Sequence, residues 1–354
     1  MPEVPASTAP QPSDRPGTAV VHVVPDGEHG PAAAAARARA LASLVSRNGA
    51  VAVLILVMII GAITVPTFAT VDNLTNTALA ASFLAIIAAG MTFVIISGGI
   101  DLSVGSVYAL AVILSADMSK YGSAAAILVP VAACMLVGLL QGVIIAKLGL
   151  PPFIVTLAGL TGVRGLVFFI TNEGNDHPSV PGSQFFETLG TGSLLGLGNP
   201  VWITLIVFAI GWWVLNRTAF GQAVQAVGGN DTAAGLMGLP VRRVKVMVYV
   251  ISGFTVGVAG VLSTALSGGG QEARVGNAYE LSAIAAVVIG GTLLAGGVGS
   301  IVGTLAGIAL LYVIQNLIVQ GFNLNSYVQQ IVSGFFLLVV VVLQAVLSRR
   351  ARSA

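Results

Sequence analysis

The acidic residue whose surroundings demand most of it is Asp101, in ISGGIDLSVGS (96–106), with Gly98, Gly99 and Gly105 around it in an otherwise apolar run. A carboxylate at membrane depth costs about 2.5–3.5 kcal/mol on insertion scales, so it is normally paired, hydrated or set at a helix N-terminus. Asp101 or Ser103 can cap a helix starting near Val104, and Gly98 and Gly99 supply the break before it. Two roles fit this carboxylate: a structural cap, and a place in a translocation path. Arg164, in TLAGLTGVRGLVFFIT (156–171), is the one cation inside an apolar segment. It either snorkels and bonds freed carbonyls, or faces the substrate path or an external gate. The amides of Asn76, Gln141, Gln315, Asn316, Gln329 and Gln330 stand in or at the ends of apolar segments. They can hydrogen-bond a neutral polyol or one another across helices.

A different chemistry is offered by FGQAVQAVGGNDTAAGLMGLPVRR (220–243). Gly228 and Gly229 stop one helix, Asn230 or Asp231 caps a second, and Gly238, Leu239 and Pro240 end it after about two turns. Leu236 and Met237 then lie on a short helix in a polar loop, where an apolar face calls for cover. Cover by a second protein and folding back onto the chain's own helix ends are the two options.

What is missing narrows the function. The lysines are Lys120, Lys147 and Lys245, none preceded by glycine. There is therefore no G-x-x-x-x-G-K-[ST] phosphate loop, and the chain cannot hydrolyse ATP by that route. His22, His29 and His177 all fall outside the apolar segments and no HExxH occurs, so an intramembrane serine or metalloprotease would lack its base or its ligands. Cys134 is the single cysteine, too few for a disulfide framework or a thiolate metal cluster. No catalytic residue, metal or cofactor is expected.

These residues must be positioned by a membrane bundle. Of 354 residues 56% are hydrophobic and 8% charged, against roughly 25% charged in a soluble domain. A formal net charge of +2 gives no surface for nucleic acid. The 44 glycines suit helices whose backbones approach closely in lipid, and no ten-residue alternation of barrel strands is present. At about 20 residues per span, ten segments qualify: 49–69, 76–97, 104–118, 122–146, 151–171, 199–216, 244–264, 281–296, 300–320 and 326–347. The third and eighth are short or interrupted. With the N-terminus inside, every Lys and Arg falls on the cytoplasmic side except Lys120 and Arg274 outside and Arg164 within a span. An even number of spans with both termini cytoplasmic follows. Residues 1–48 form a disordered tail with a short basic helix, 49–347 the membrane domain with its cytoplasmic loop at 217–243, and 348–354 a basic tail. ISGGIDLSVGSVYAL (96–110) and VIGGTLLAGGVGSIVGTL (288–305) are weakly alike, as the halves of a duplicated transporter with broken helices would be.

The chain resembles the permease subunits of bacterial ABC sugar importers, the ribose and xylose type, over about residues 50–347. GMTFVIISGGIDLSVGSV (90–107), LPPFIVTLAGLTGVRGL (150–166), the loop at 217–245 and YELSAIAAVVIGGTLLAGGVGSIVGTLAG (279–307) carry the likeness in the family's order. The resemblance implies an all-α polytopic bundle with the ABC importer permease fold. It implies a second permease copy, cytosolic ABC ATPase subunits, and an extracytoplasmic binding protein delivering a small neutral sugar, all in the inner-membrane bilayer. Ala233, Ala234 and Gly238 resemble the importer coupling motif, with Thr232 where the family has Glu. Asn230, Asp231, Ala233, Ala234, Leu236, Met237 and Gly238 are thus the expected ATPase contact. Asp101, Arg164, Gly98, Gly99, Gln315 and Asn316 are expected at the path or its gate, and Lys120 and Arg274 where the binding protein docks. The rival expectation is a secondary transporter or channel for a small neutral solute, disfavoured by the shortage of intramembrane carboxylates.

Overall fold

The computed structural model describes residues 50–180, 184–269 and 271–322, with positions 328, 331, 334 and 335 beyond them. The expected N-terminal tail, the basic C-terminal end, Gln329, Gln330 and nearly all of the segment 326–347 lie outside the described residues.

Twelve α-helices follow one another in the described chain: α1 (Ala50–Thr64), α2 (Val71–Ile96), α3 (Val104–Met118), α4 (Ser123–Leu148), α5 (Pro152–Ile170), α6 (Gln184–Thr191), α7 (Asn199–Arg217), α8 (Ala219–Gly229), α9 (Asp231–Leu236), α10 (Val241–Ser267), α11 (Tyr279–Ile289) and α12 (Ile301–Phe322). A two-stranded antiparallel hairpin, β1 (Ser193–Leu194) and β2 (Leu197–Gly198), precedes α7. Six helices are long and apolar enough to cross a bilayer: α2, α4, α5, α7, α10 and α12. Of the other expected spans, the segment 49–69 is helical only as the shorter α1, and the two segments read as short in the sequence form α3 and α11. At 1.5 Å per residue α3 is about 22 Å long and α11 about 17 Å, against a hydrocarbon thickness of about 30 Å.

Helix α2 is apolar on every side and is buried throughout from Ala81 to Ile96, the condition of a helix at the centre of a bundle. Around it α4 and α10 meet backbone to backbone. Gly138 and Gly142 on α4 face Tyr249 and Val246 of α10, while Gly253 and Gly257 on α10 face Cys134 and Val131 of α4. The four-residue spacing on each helix is the small-xxx-small packing of membrane helices. A Cβ at Gly257 would come within 2.8 Å of the Val131 Cα, so the close approach requires glycine.

Pro130 stands inside α4 and cannot donate to the Ala126 carbonyl. Ser115 Oγ of α3 donates to that carbonyl at 2.8 Å, so the freed acceptor becomes a tie between helices. Hydroxyls repeat this use elsewhere: Thr264 Oγ1 of α10 donates to Val112 O of α3 at 3.0 Å. Among the described residues no buried side-chain nitrogen or oxygen lacks a partner.

Candidate functional site: two broken helices and a surface helix

Helix α2 ends in a Schellman turn. Gly98 N–H donates to Ile95 O and Gly99 N–H to Val94 O, both at 2.9 Å, with Gly98 at φ +81°. The chain then crosses to α3 through Ile100–Ser103. This elbow is pinned from three sides: Thr156 Oγ1 of α5 and Tyr249 OH of α10 both donate to Ile100 O, at 3.2 and 3.3 Å. Gln141 Nε2 of α4 donates to Ser103 Oγ at 3.0 Å.

Asp101 sits at the centre of the elbow, 3% exposed. Its Oδ1 accepts from the Ser103 N–H at 3.0 Å and the Ser103 hydroxyl at 2.6 Å, and its Oδ2 accepts from Ser252 Oγ of α10 at 2.8 Å. Of the two candidate caps it is therefore Asp101 that serves the entry to α3, while Ser103 makes no side-chain cap bond. Gln141 lies seven residues before the end of α4, so the network is about 10 Å along the helix from that end. Ser252 was not a candidate from sequence, and its only local signal is a hydroxyl beside Gly253 in an apolar run. The crevice lined by Asp101, Ser103, Cys134, Gln141 and Ser252 has no room for a water-sized molecule.

The second elbow repeats the first. At the end of α11, Gly291 N–H donates to Val288 O at 2.9 Å and Thr292 N–H to Val287 O at 3.2 Å, with Gly291 at φ +91°. The segment 290–300 then leads into α12. The weak internal likeness is thus matched by geometry: two half-length helices, each adjoining a Schellman turn. The elbows also touch, since Gly297 N–H donates to Ile96 O at 2.8 Å, and Thr92 and Thr304 hydroxyls join α2 to α12 at 2.8 Å. Gly228, at the end of α8, is wedged against both. A Cβ there would lie 2.7 Å from Gly297 N and closer still to Ile96 O. Sequence showed Gly228 only as a helix stop.

Past Gly229 comes the short surface helix. Asn230 Oδ1 accepts from Ala233 N–H at 2.9 Å, which makes Asn230 the N-cap. Gly238, at φ +85°, donates to Gly235 O, and Leu239 N–H donates to Ala234 O, both at 3.0 Å. The helix α9 therefore starts and stops where the sequence predicts. Its two faces differ: Ala234 is 1% exposed against the bundle, whereas Leu236 and Met237 are 86% and 73% exposed. Asp231 Oδ2 meets Lys245 Nζ of α10 at 2.8 Å. That ammonium holds the Asp231 carboxyl below its ordinary value, so the tie persists above the usual carboxylate range and is lost as pH falls through the depressed folded value.

The remaining candidates are scattered. Arg164 donates through Nη1 to Ala273 O at 2.8 Å and Val275 O at 3.1 Å, anchoring the 268–278 loop at the end of the bundle opposite α9. This is the carbonyl-bonding role weighed for it. Asn316 exchanges hydrogen bonds with Asn73 at 2.8 and 3.1 Å, joining α12 to α2, and Gln315 lies half-buried beside it. Lys120 is paired with Asp117 at 2.7 Å, while Arg274 is exposed and has no ion pair among the described residues. Beside Lys120, Asp117 raises the ammonium pKa above its ordinary value.

A family profile described as branched-chain amino acid transport system, permease component, matches residues 73–341. The chain belongs to this permease family. Among its relatives, the ribose import permease of Haemophilus influenzae is 39% identical over 84% of this chain and 92% of its own length. The ribose import permease of Bacillus subtilis is 39% identical over 85% and 92%. The L-arabinose ABC transporter permease of Azospirillum brasilense is 37% identical over 88% and 92%. No solved structure matches. In this permease, then, α9 and the two elbows lie inside the segment shared with the family, and the chain is a multi-pass membrane transport subunit.

Proposed function

We propose that the chain is the conduit of an ATP-driven monosaccharide importer, working as one of two permease copies on cytosolic ATPase subunits that hydrolyse the nucleotide. An extracytoplasmic binding protein delivers the sugar, and both termini and α9 lie in the cytoplasm. The pentose permeases among the relatives support a pentose-like substrate. The observation that carries the reading is α9 itself, a helix capped at both ends that presents Leu236 and Met237 to solvent beside the first elbow. An apolar pair presented in the open on a capped helix is suited to a partner's groove.

Closure of the ATPase subunits would displace α9. Gly228 adjoins Asn230 through Gly229 and abuts the backbone of both elbows, so the displacement reaches α3 and α12 with no long side chain to absorb it. Alternating access then needs two packings of the elbows that nucleotide and loaded binding protein bias differently.

The test is assembly. Replacing both Leu236 and Met237 by Asp should reduce co-purification of the ATPase subunits at least about tenfold, because two charges would be placed in an apolar groove. ATP-dependent uptake into vesicles should fall in parallel. Unchanged assembly and uptake would remove α9 from the contact, and solute movement by the permease alone would overturn the importer reading.

A further inference from the structure

On the side of the bundle away from α9, a cavity of about 440 Å³ opens between α2, α3, α10, α11 and α12. That volume falls within the roughly 300–1,000 Å³ usual for small-molecule sites. Three tyrosines line it, Tyr108, Tyr279 and Tyr312, with the amides of Asn76 and Gln271 and the hydroxyl of Ser263. We propose that this cavity is the station at which the permease holds its sugar, which rests on the importer reading given above.

The lining is amphiphilic in the way a sugar is. A pyranose or furanose ring has apolar C–H faces that stack on aromatic rings and a rim of hydroxyls that need donors and acceptors together. Tyr108 and Tyr279 form a tilted pair with ring centroids 5.1 Å apart, a continuous aromatic wall. The Tyr279 and Tyr312 hydroxyls make no hydrogen bond among the described residues, yet no buried side-chain oxygen there lacks a partner. Both residues line the cavity. Asn76 likewise makes no hydrogen bond within the described chain, and an amide offers both donor and acceptor. Gln271 donates through Nε2 to Ser263 Oγ and Ser267 Oγ, each at 2.9 Å, which fixes the amide, and its Oε1 has no hydrogen bond among the described residues.

Charge separates a sugar from the amino acid in the family's description. No Asp, Glu, Lys or Arg lines the cavity. A zwitterion would bring an ammonium and a carboxylate into a space that holds no counter-charge, whereas a neutral polyol brings nothing that the phenols and amides cannot satisfy. Arg164, through Ala273 O and Val275 O, fixes the loop that carries Gln271 and Val275 to the cavity's mouth.

The experiment uses the full permease with its ATPase subunits and binding protein in liposomes, with radiolabelled D-ribose as probe. Asn76→Leu and Tyr279→Leu should each lower ATP-dependent D-ribose uptake about tenfold, the scale of one lost contact. Co-purification of the ATPase subunits with both variants should stay within about twofold of the parent, since neither side chain belongs to the coupling contact. Asn76→Leu breaks no hydrogen bond among the described residues, so it is the variant that disturbs the fold less. Tyr279→Phe, which keeps the ring, should fall between Tyr279→Leu and the parent. Undiminished uptake in Asn76→Leu and Tyr279→Leu, or uptake and complex assembly lost together, overturns the sugar station and leaves the importer standing. ATP-dependent uptake of leucine by the parent, with none of D-ribose, overturns the sugar reading itself.

Discussion

Removing the Asp101 carboxylate would leave one backbone N–H and two hydroxyls turned toward an empty acceptor position, and each buried group without a partner costs about 1–3 kcal/mol. The network spans two helices and the elbow, so its members should not act independently. Asp101→Ala is expected to lower the thermal stability of the detergent-solubilised permease strongly, and Ser252→Ala less. The two together should be clearly less than additive, with a coupling of about 1 kcal/mol, since Ser252 loses its acceptor in either case. Strict additivity in thermal melts would show that the two side chains do not share a bond. The burial of Asp101 was legible in the sequence because a carboxylate among glycines and β-branched residues has few stable positions. Its partner was not. Ser252 lies 151 residues further along the chain, and the hydroxyls spread along α10 carry no mark of which of them meets which neighbour.

At the scale of elements, adjacent glycines offer a test with its control built in. Gly228 faces the Ile96 carbonyl and Gly297 nitrogen, whereas a Cβ on Gly229 would meet nothing within 4 Å. Gly228→Ala must therefore push α8 away from both elbows, while Gly229→Ala fills open space. In the reconstituted complex, Gly228→Ala should cut uptake by an order of magnitude or more per ATP hydrolysed, and Gly229→Ala should leave that ratio within about twofold. Equal ratios in the two variants would mean that motion of α9 reaches the elbows by another route. The limits of α9 were legible because an Asn cap and a glycine in the left-handed region act within a few residues. The wedge at Gly228 was hidden, since it depends on three glycine turns remote in sequence arriving at one place.

Across the whole molecule, α10 is the part common to both ends. Its 27 residues run about 40 Å, and about 32 Å of that separates Lys245, tied to Asp231 of α9, from Leu266 at the tyrosine-lined cavity. Its C-terminal end feeds the 268–278 loop, which carries Gln271 to the cavity, gives two carbonyls to Arg164, and exposes Arg274. A binding protein seated on Arg274 would therefore press on the segment that roofs the proposed sugar station. The two cations expected at this end are not equivalent: Lys120 already has Asp117, so its field is largely cancelled, while Arg274 has no ion pair among the described residues. Arg274→Glu should weaken association of the loaded binding protein several-fold at low ionic strength, with the difference shrinking as salt shortens the Debye length to about 8 Å at 0.15 M. Lys120→Glu should have the smaller effect. Equal losses from the two variants, or a loss at Arg274 indifferent to salt, would place the docking charge elsewhere and leave the roof of the cavity without a handle.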